Sequence, residues 1–329
     1  MARNEREPAT PGPVEPDTTW NESQLFWWCD PTQRISGFHR IAHQPNRNNA
    51  HIWNAIIDDT GRYTRRVSSE VTFSADMRAD GKYSVEGLSF RHLEQGGLAV
   101  VADQDDVHLD LQFEDLHRAV SFDEFVSAEE AHALEGESST GHTEAAGRIS
   151  GTLTVGNRNI EVSGFGHRDH SWGPRNVASI QCSTWSNGTI GEEFSFFVVA
   201  GSQHGKQPTK LGYVAEHGKI TPISEWALYP WMDIDGVTYV RVSGYIEVAD
   251  GRRFDLEFTD LMGSTIVTLD EWIGCETAFN LMVNGESKGV ANMERAINPC
   301  AGARLPSPTI NAIYEDGVGQ YSLADCNKA

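Results

Sequence analysis

The chain has 329 residues, a hydrophobic fraction of 39% and a formal charge of -21, from 47 acidic against 26 basic residues. That acidity opposes the phosphate neutralisation on which nucleic-acid binding rests, and the same sign argument excludes anionic membranes as main partners. No apolar run approaches the ~20 residues that span a bilayer, so no membrane insertion is expected.

Residues 1–19 are rich in Pro, Glu and Thr and poor in apolar side chains, which predicts a disordered tail. The tail has no apolar h-region of a signal peptide, so the chain is expected to be cytoplasmic. From Trp20 on, HIWNAII, RYTRRVSSEVTF, KYSVEGLSF, GGLAVVAD and VHLDLQF alternate apolar and polar residues between turn signals. That is the pattern of antiparallel hairpins. Within 121–144, Phe122, Phe125 and Val126 have helical spacing before the segment dissolves into Ser, Thr and Gly, predicting a short helix and a connecting loop.

Strand patterns resume at RISGTLTV and NIEVSGFG, joined around Gly156 and Asn157. RISGTLTV, starting at Arg148, is echoed by RVSGYIEV, starting at Arg241, and each is followed by a tight turn and a return strand. The echo predicts two related β halves, divided here as a tail at 1–19, an N-terminal half at 20–145 and a C-terminal half at 146–329. An antiparallel sheet loses its exposed edges by closing, and a barrel of about eight strands can hold one small ligand. The predicted fold is therefore all-β, with two antiparallel barrels or curved sheets packed together and a short helix in the connecting region. Cys29, Cys182, Cys275, Cys300 and Cys326 are odd in number, widely spread and in no CxxC pairing, and they read as reduced thiols.

The densest group of reactive side chains is GFGHRDHSWGPR at 164–175. Extended backbone sends His167 and Asp169 to one face, and Arg168 and His170 to the other. As metal ligands, His167 and Asp169 supply at most two, and no HExxH or CxxC completes the set. The acid–base reading of the run needs less: an aspartate and a histidine beside an apolar cavity, with an arginine to orient the carboxylate. The competing reading is a buried brace in which Arg and Asp on adjacent strands hold a tight crossing together. His142 and Glu144, at i, i+2 spacing ahead of the first repeat strand, can both face a cavity; the competing reading of His142 is a loop histidine in solvent. Trp185, Trp231 and Trp272 make the second half aromatic and read as core or pocket wall. With no GxSxG, GxGxxG or P-loop, no cofactor is expected.

At GFGHRDHSWGPR the chain resembles bacterial tandem lipocalin-like (calycin-like) β proteins, distantly similar to carotenoid 1,2-hydratases (hydroxyneurosporene synthases) and to lipocalin-like Diels-Alderases. NESQLFWWCDPTQRISGFHR resembles that family's opening, and VNGESKGVANMER its closing hairpin. The resemblance implies an apolar pocket and non-redox chemistry on a prenyl or terpenoid-like substrate. It implies Asp169 as proton donor, His170 or His167 as its partner, Arg168 as orienting charge, and Trp172 with the aromatic walls as stabilisers of cationic character. In two places the chain departs from the pattern: His167 stands where relatives carry a bulky apolar residue, and His142-Thr143-Glu144 lacks the family's central aromatic.

The expected function is a cofactor-independent lyase or isomerase/cyclase acting on a lipophilic small molecule by protonating an alkene, epoxide or alcohol. The rival is a carrier that shelters an apolar ligand unchanged. A third reading is metal-assisted hydrolysis. Dimerisation stays open.

Overall fold

The computed structural model describes residue 11 and residues 14–301, apart from 59–62, 105–106, 126–140, 176–177, 179, 204–208, 234–237, 270–271 and 287. The chain divides into two units, Met1–Glu124 with Ser138–Arg175, and Phe125–Glu137 with Asn176–Ala329.

The first unit is one long antiparallel sheet. Its strands are β1 (Trp20–Asp30), β2 (Ile35–Gln44), β3 (Asn49–Asp58), β4 (Tyr63–Thr72), β5 (Tyr83–Val85), β6 (Leu88–His92), β7 (Leu98–Gln104), β8 (Val107–Asp115), β9 (Val120–Ser121), β10 (Gly141–Val155) and β11 (Arg158–Pro174). They run in the order β4-β3-β2-β1-β11-β10-β8-β7-β6-β5, with β9 on β10. The sheet curls until its two ends meet. His43 on β2 reaches the carbonyl of Ser84 on β5 at 3.1 Å, and Asn54 on β3 donates to Gln104 on β7 at 2.7 Å.

Alternation explains the filling of this near-barrel. Phe26, Trp28, Ile41, Ile52, Phe90 and Phe113 point inward and are fully or almost fully buried. Trp28 donates through Nε1 to His39 Nε2 at 2.8 Å, which leaves His39 Nδ1 to donate to Asn54 Oδ1 at 2.6 Å. Burial pushes His39 down to about 4, so the ring is neutral and can serve as both acceptor and donor. The polar chain thus ties β1, β2 and β3 to β7 through the core.

Gly164 and Gly166 are needed for close approach of β11 to β1. A β-carbon at either would fall 2.1 Å from a carbonyl oxygen, that of Cys29 or of Trp27. Gly166→Ala is therefore expected to cost about 1–3 kcal/mol or more, read as a lowered urea midpoint at unchanged slope.

The second unit is a closed barrel of β12 (Ile180–Ile190), β13 (Phe194–Gln203), β14 (Thr209–Glu216), β15 (Lys219–Met232), β16 (Tyr239–Val248), β17 (Arg253–Leu269), β18 (Trp272–Val283) and β19 (Gly289–Ile297). Phe196, Phe258, Phe279 and Leu281 fill its interior and are completely buried.

The all-β expectation of antiparallel barrels or curved sheets holds in both units. Arg148 and Arg241 each lie on the first strand of an antiparallel hairpin, within β10 of β10–β11 in one unit and within β16 of β16–β17 in the other. The division at 145/146, however, falls inside β10, which pairs with β8 on one side and β11 on the other, so the first unit runs on to Arg175. Order also begins ahead of Trp20: Asn46 Nδ2 donates to the carbonyls of Glu15 and Asp17 at 2.6 and 2.5 Å. Of the segment read as helix, Phe122–Glu124 forms a 3-10 turn and 126–140 lies outside the described residues. Cys182 is disulfide-bonded, correcting the reading of five reduced thiols, while Cys29, Cys275 and Cys300 are thiols. Spacing along the chain carries no information on which cysteines the fold brings within bonding geometry.

Candidate active site

The HRDH run lies in the middle of β11, between β1 and β10, where the pleat separates its residues as alternation requires. Two polar clusters result, back to back across one sheet.

On the inner face, Arg168 forks onto Asp115 at the end of β8, with Nε at 2.8 Å and Nη2 at 2.9 Å from the two carboxylate oxygens. Arg168 is 1% exposed, and its charge serves Asp115 rather than Asp169. His170 Nε2 lies 3.2 Å from Glu22 Oε1, to which Tyr83 donates at 2.9 Å, and Arg78 Nη2 closes on Glu22 Oε2 at 2.8 Å. Burial pushes the Glu22 carboxyl up, but His170, Arg78 and Tyr83 together outweigh it and hold the group below its ordinary range. Trp172 tilts against His170 with ring centroids 4.8 Å apart. Thr143 stands opposite His170 on this same face.

On the outer face, Asp169 and His167 meet His142 and Glu144 of β10. His142 Nε2 sits 2.7 Å from Asp169 Oδ2 and 3.1 Å from Glu144 Oε1, and His167 Nε2 sits 2.9 Å from Glu144 Oε2. These contacts make one chain, His167, Glu144, His142, Asp169. Its exposure is graded: Glu144 is 0% and His167 1% exposed, while His142 and Asp169 are each 8%. Phe122 stacks on the His142 ring with centroids 3.9 Å apart and fixes its orientation. Leu25 and Trp27 of β1 stand in register with Asp169 and His167, and Phe38 lies beside Trp27, so a buried apolar panel borders the chain.

Burial, reinforced by His117, Arg168 and His142, holds His167 well below its ordinary range, so it is a neutral imidazole. His39, His43 and His117 are each pushed to about 4, with burial the largest cause. A folded value below the unfolded one means that stability is complete above about pH 6.5 and is lost as pH falls toward about 4, because only the unfolded chain takes up those protons. Each ring contributes about 1.4 kcal/mol per pH unit in that window. Chemical denaturation between pH 7 and pH 5 is expected to show a steep fall, flattened by replacing His117 with Gln.

One nitrogen of His142 and one oxygen each of Glu144 and Asp169 lie within 4.8 Å of one another, a donor set that fits a divalent ion. The metal reading of the sequence paired His167 with Asp169; the geometry joins Asp169 to His142 and Glu144, with His167 behind Glu144. Trp185, Trp231 and Trp272 belong to the second unit. Trp185 is buried against Phe197, Trp231 lies under the Arg241 guanidinium at 5.1 Å, and Trp272 is half-buried at the start of β18. Sequence reasoning missed Glu22, Tyr83 and Asp115 as partners; of these, Glu22 alone lies in a segment quoted for its resemblance, NESQLFWWCDPTQRISGFHR.

A family profile described as a domain of unknown function, DUF7064, matches residues 6–299. The chain belongs to the DUF7064 family. No curated protein sequence matches this DUF7064 chain. Among solved structures it is similar to a protein of Nitrosomonas europaea with the provisional name AttH, at 12% identity and TM-score 0.61 over 90% of this chain and 98% of that one. It is similar to kievitone hydratase from Nectria haematococca, at 11% identity and TM-score 0.56 over 84% and 88% of the two chains. CghA, solved with Sch210972, matches at 14% identity and TM-score 0.56 over 85% and 89%. These likenesses are of fold.

Proposed function

We propose that this DUF7064 protein is an acid–base enzyme, a hydratase/dehydratase or isomerase/cyclase, acting on a lipophilic substrate of prenyl or terpenoid type. The observation that carries the reading is the graded chain of two imidazoles and two carboxylates ending at Asp169 and His142 beside an apolar panel. Buried ionisable groups in mutual contact are costly to keep unless they are fully paired, and they concentrate where proton transfer is needed. The fold of the solved relatives hosts a hydratase, which supports the class of reaction without naming the substrate.

In this mechanism Asp169 is the group that hands protons to the substrate, and His142 is its partner at 2.7 Å. The Asp169 carboxyl gives one to an alkene carbon, an epoxide oxygen or an alcohol oxygen, and the carboxylate left behind is held by the His142 N–H at 2.7 Å. The cation then returns a proton to Asp169, giving isomerisation or dehydration. When water adds instead, its released proton takes the same path. Glu144 and neutral His167 fix the His142 ring from behind and exclude water from that side. Leu25, Trp27 and Phe122 keep the cation away from bulk solvent, with the rings of Trp27 and Phe122 stabilising its charge.

A second reading has its own observation, the donor set of His142, Glu144 and Asp169. One experiment separates the readings: incubation with prenyl and terpenoid alkenes and alcohols, before and after chelation, with products followed by mass spectrometry. The acid–base reading expects product in both samples. Product only before chelation, together with a stoichiometric divalent ion by elemental analysis, identifies the metal enzyme, and ligand returned unaltered throughout identifies a carrier.

A further inference from the structure

The closing segment VNGESKGVANMER plays no part in the chemistry above, yet its last residue is an arginine buried in the second barrel. Arg295 on β19 alternates inward with Ala291 and Met293, both members of the apolar core, and is 1% exposed. Glu294 alternates to the opposite face, in register with Glu276. The guanidinium donates to Met232 Sδ at 3.4 Å and lies beside the completely buried Tyr239. Among the described residues no carboxylate lies within ion-pair distance of it, and its Nε has no acceptor. Thr184, in register with Arg295 on β12 and 1% exposed, likewise has a hydroxyl without a partner.

The contrast with Arg168, equally buried, is direct, since that guanidinium is forked onto Asp115. A cation taken out of water needs a counter-charge, and the planar guanidinium matches a carboxylate with two parallel hydrogen bonds. Arg295 stands near the end of β19, Thr184 near the start of β12, Met232 at the end of β15 and Tyr239 at the start of β16, so the four share one rim of the barrel. Below them are Met293, Phe196 and Phe258, and the thioethers of Met232 and Met293 can re-pack around a guest.

We propose that Arg295 anchors the carboxylate of an apolar organic acid inside the second barrel, with Thr184 and Tyr239 as further hydrogen-bonding groups and the hydrocarbon part among the interior side chains. The site is separate from the Asp169 chain, and neither stands or falls with the other.

The test titrates the full chain with dansyl-undecanoic acid, followed by fluorescence, and displaces the probe with dodecanoic acid or with dodecanol. The acid is expected to displace at about a tenfold lower concentration than the alcohol. Arg295→Met is expected to weaken the probe by about tenfold or more with a melting temperature unchanged or raised, since a buried unpaired charge is removed. Equal displacement by acid and alcohol, absence of probe binding, or a folded R295M that binds like the parent overturns the proposal. The acid-against-alcohol comparison uses the parent protein alone and decides the matter if R295M does not fold.

Discussion

Asp169→Asn is expected to lower turnover by about a thousandfold or more while leaving the fold intact. The amide keeps the shape of the carboxyl and can still accept from His142 Nε2, now 2.7 Å from Oδ2, but it cannot release a proton from oxygen. Loss of the proton donor thus separates from loss of packing. His167→Gln acts further back, through Glu144, and is expected to cost only about tenfold and to move the pH profile, because it alters the chain without touching its reacting end. An Asp169→Asn variant with parental kcat, its fold verified by circular dichroism, would leave the outer-face cluster as a brace.

The second large effect is on stability. Arg168→Met is expected to destabilise the first unit by about 3–5 kcal/mol, because it strands a buried Asp115 carboxylate that now holds a two-pronged guanidinium. Pairing it with Asp115→Asn is expected to restore much of the loss, since the cost lies in the unpaired charge rather than in the missing contact. Thermal melts of the single and double variants measure both. The activity of the folded R168M fraction is expected to stay near that of the parent. A drop in kcat without a drop in melting temperature would instead assign Arg168 to the chemistry, as the resemblance to the hydratases implied.

The contrast between these two neighbours in sequence shows what a sequence can reveal. That His167 and Asp169 share a face, opposite Arg168 and His170, followed from the two-residue period of a strand and needed no tertiary information. The hairpins at KYSVEGLSF and at Gly156-Asn157 were legible for a similar reason, because their turn chemistry is local. What each face meets was not legible. Glu22 comes to His170 from the far end of the first unit, and Asp115 comes to Arg168 through the β8–β10 pairing; both depend on register between distant strands. The domain division failed on the same point: β10 was read as the start of a second half, but its partners β8 and β11 keep it in the first. The tryptophans of the second half were legible as a group, but not the separate surroundings of Trp185, Trp231 and Trp272.

Proton delivery to carbon leaves a mark that binding alone cannot. The most direct measurement is incubation of the purified full chain with prenyl and terpenoid alkenes in D2O, with the products analysed by mass spectrometry and NMR. The expected result is product carrying one deuterium at a formerly vinylic carbon, formed by the parent and absent with Asp169→Asn. Alkene recovered without deuterium, or labelled equally by the parent and the variant, would contradict a proton-donating Asp169.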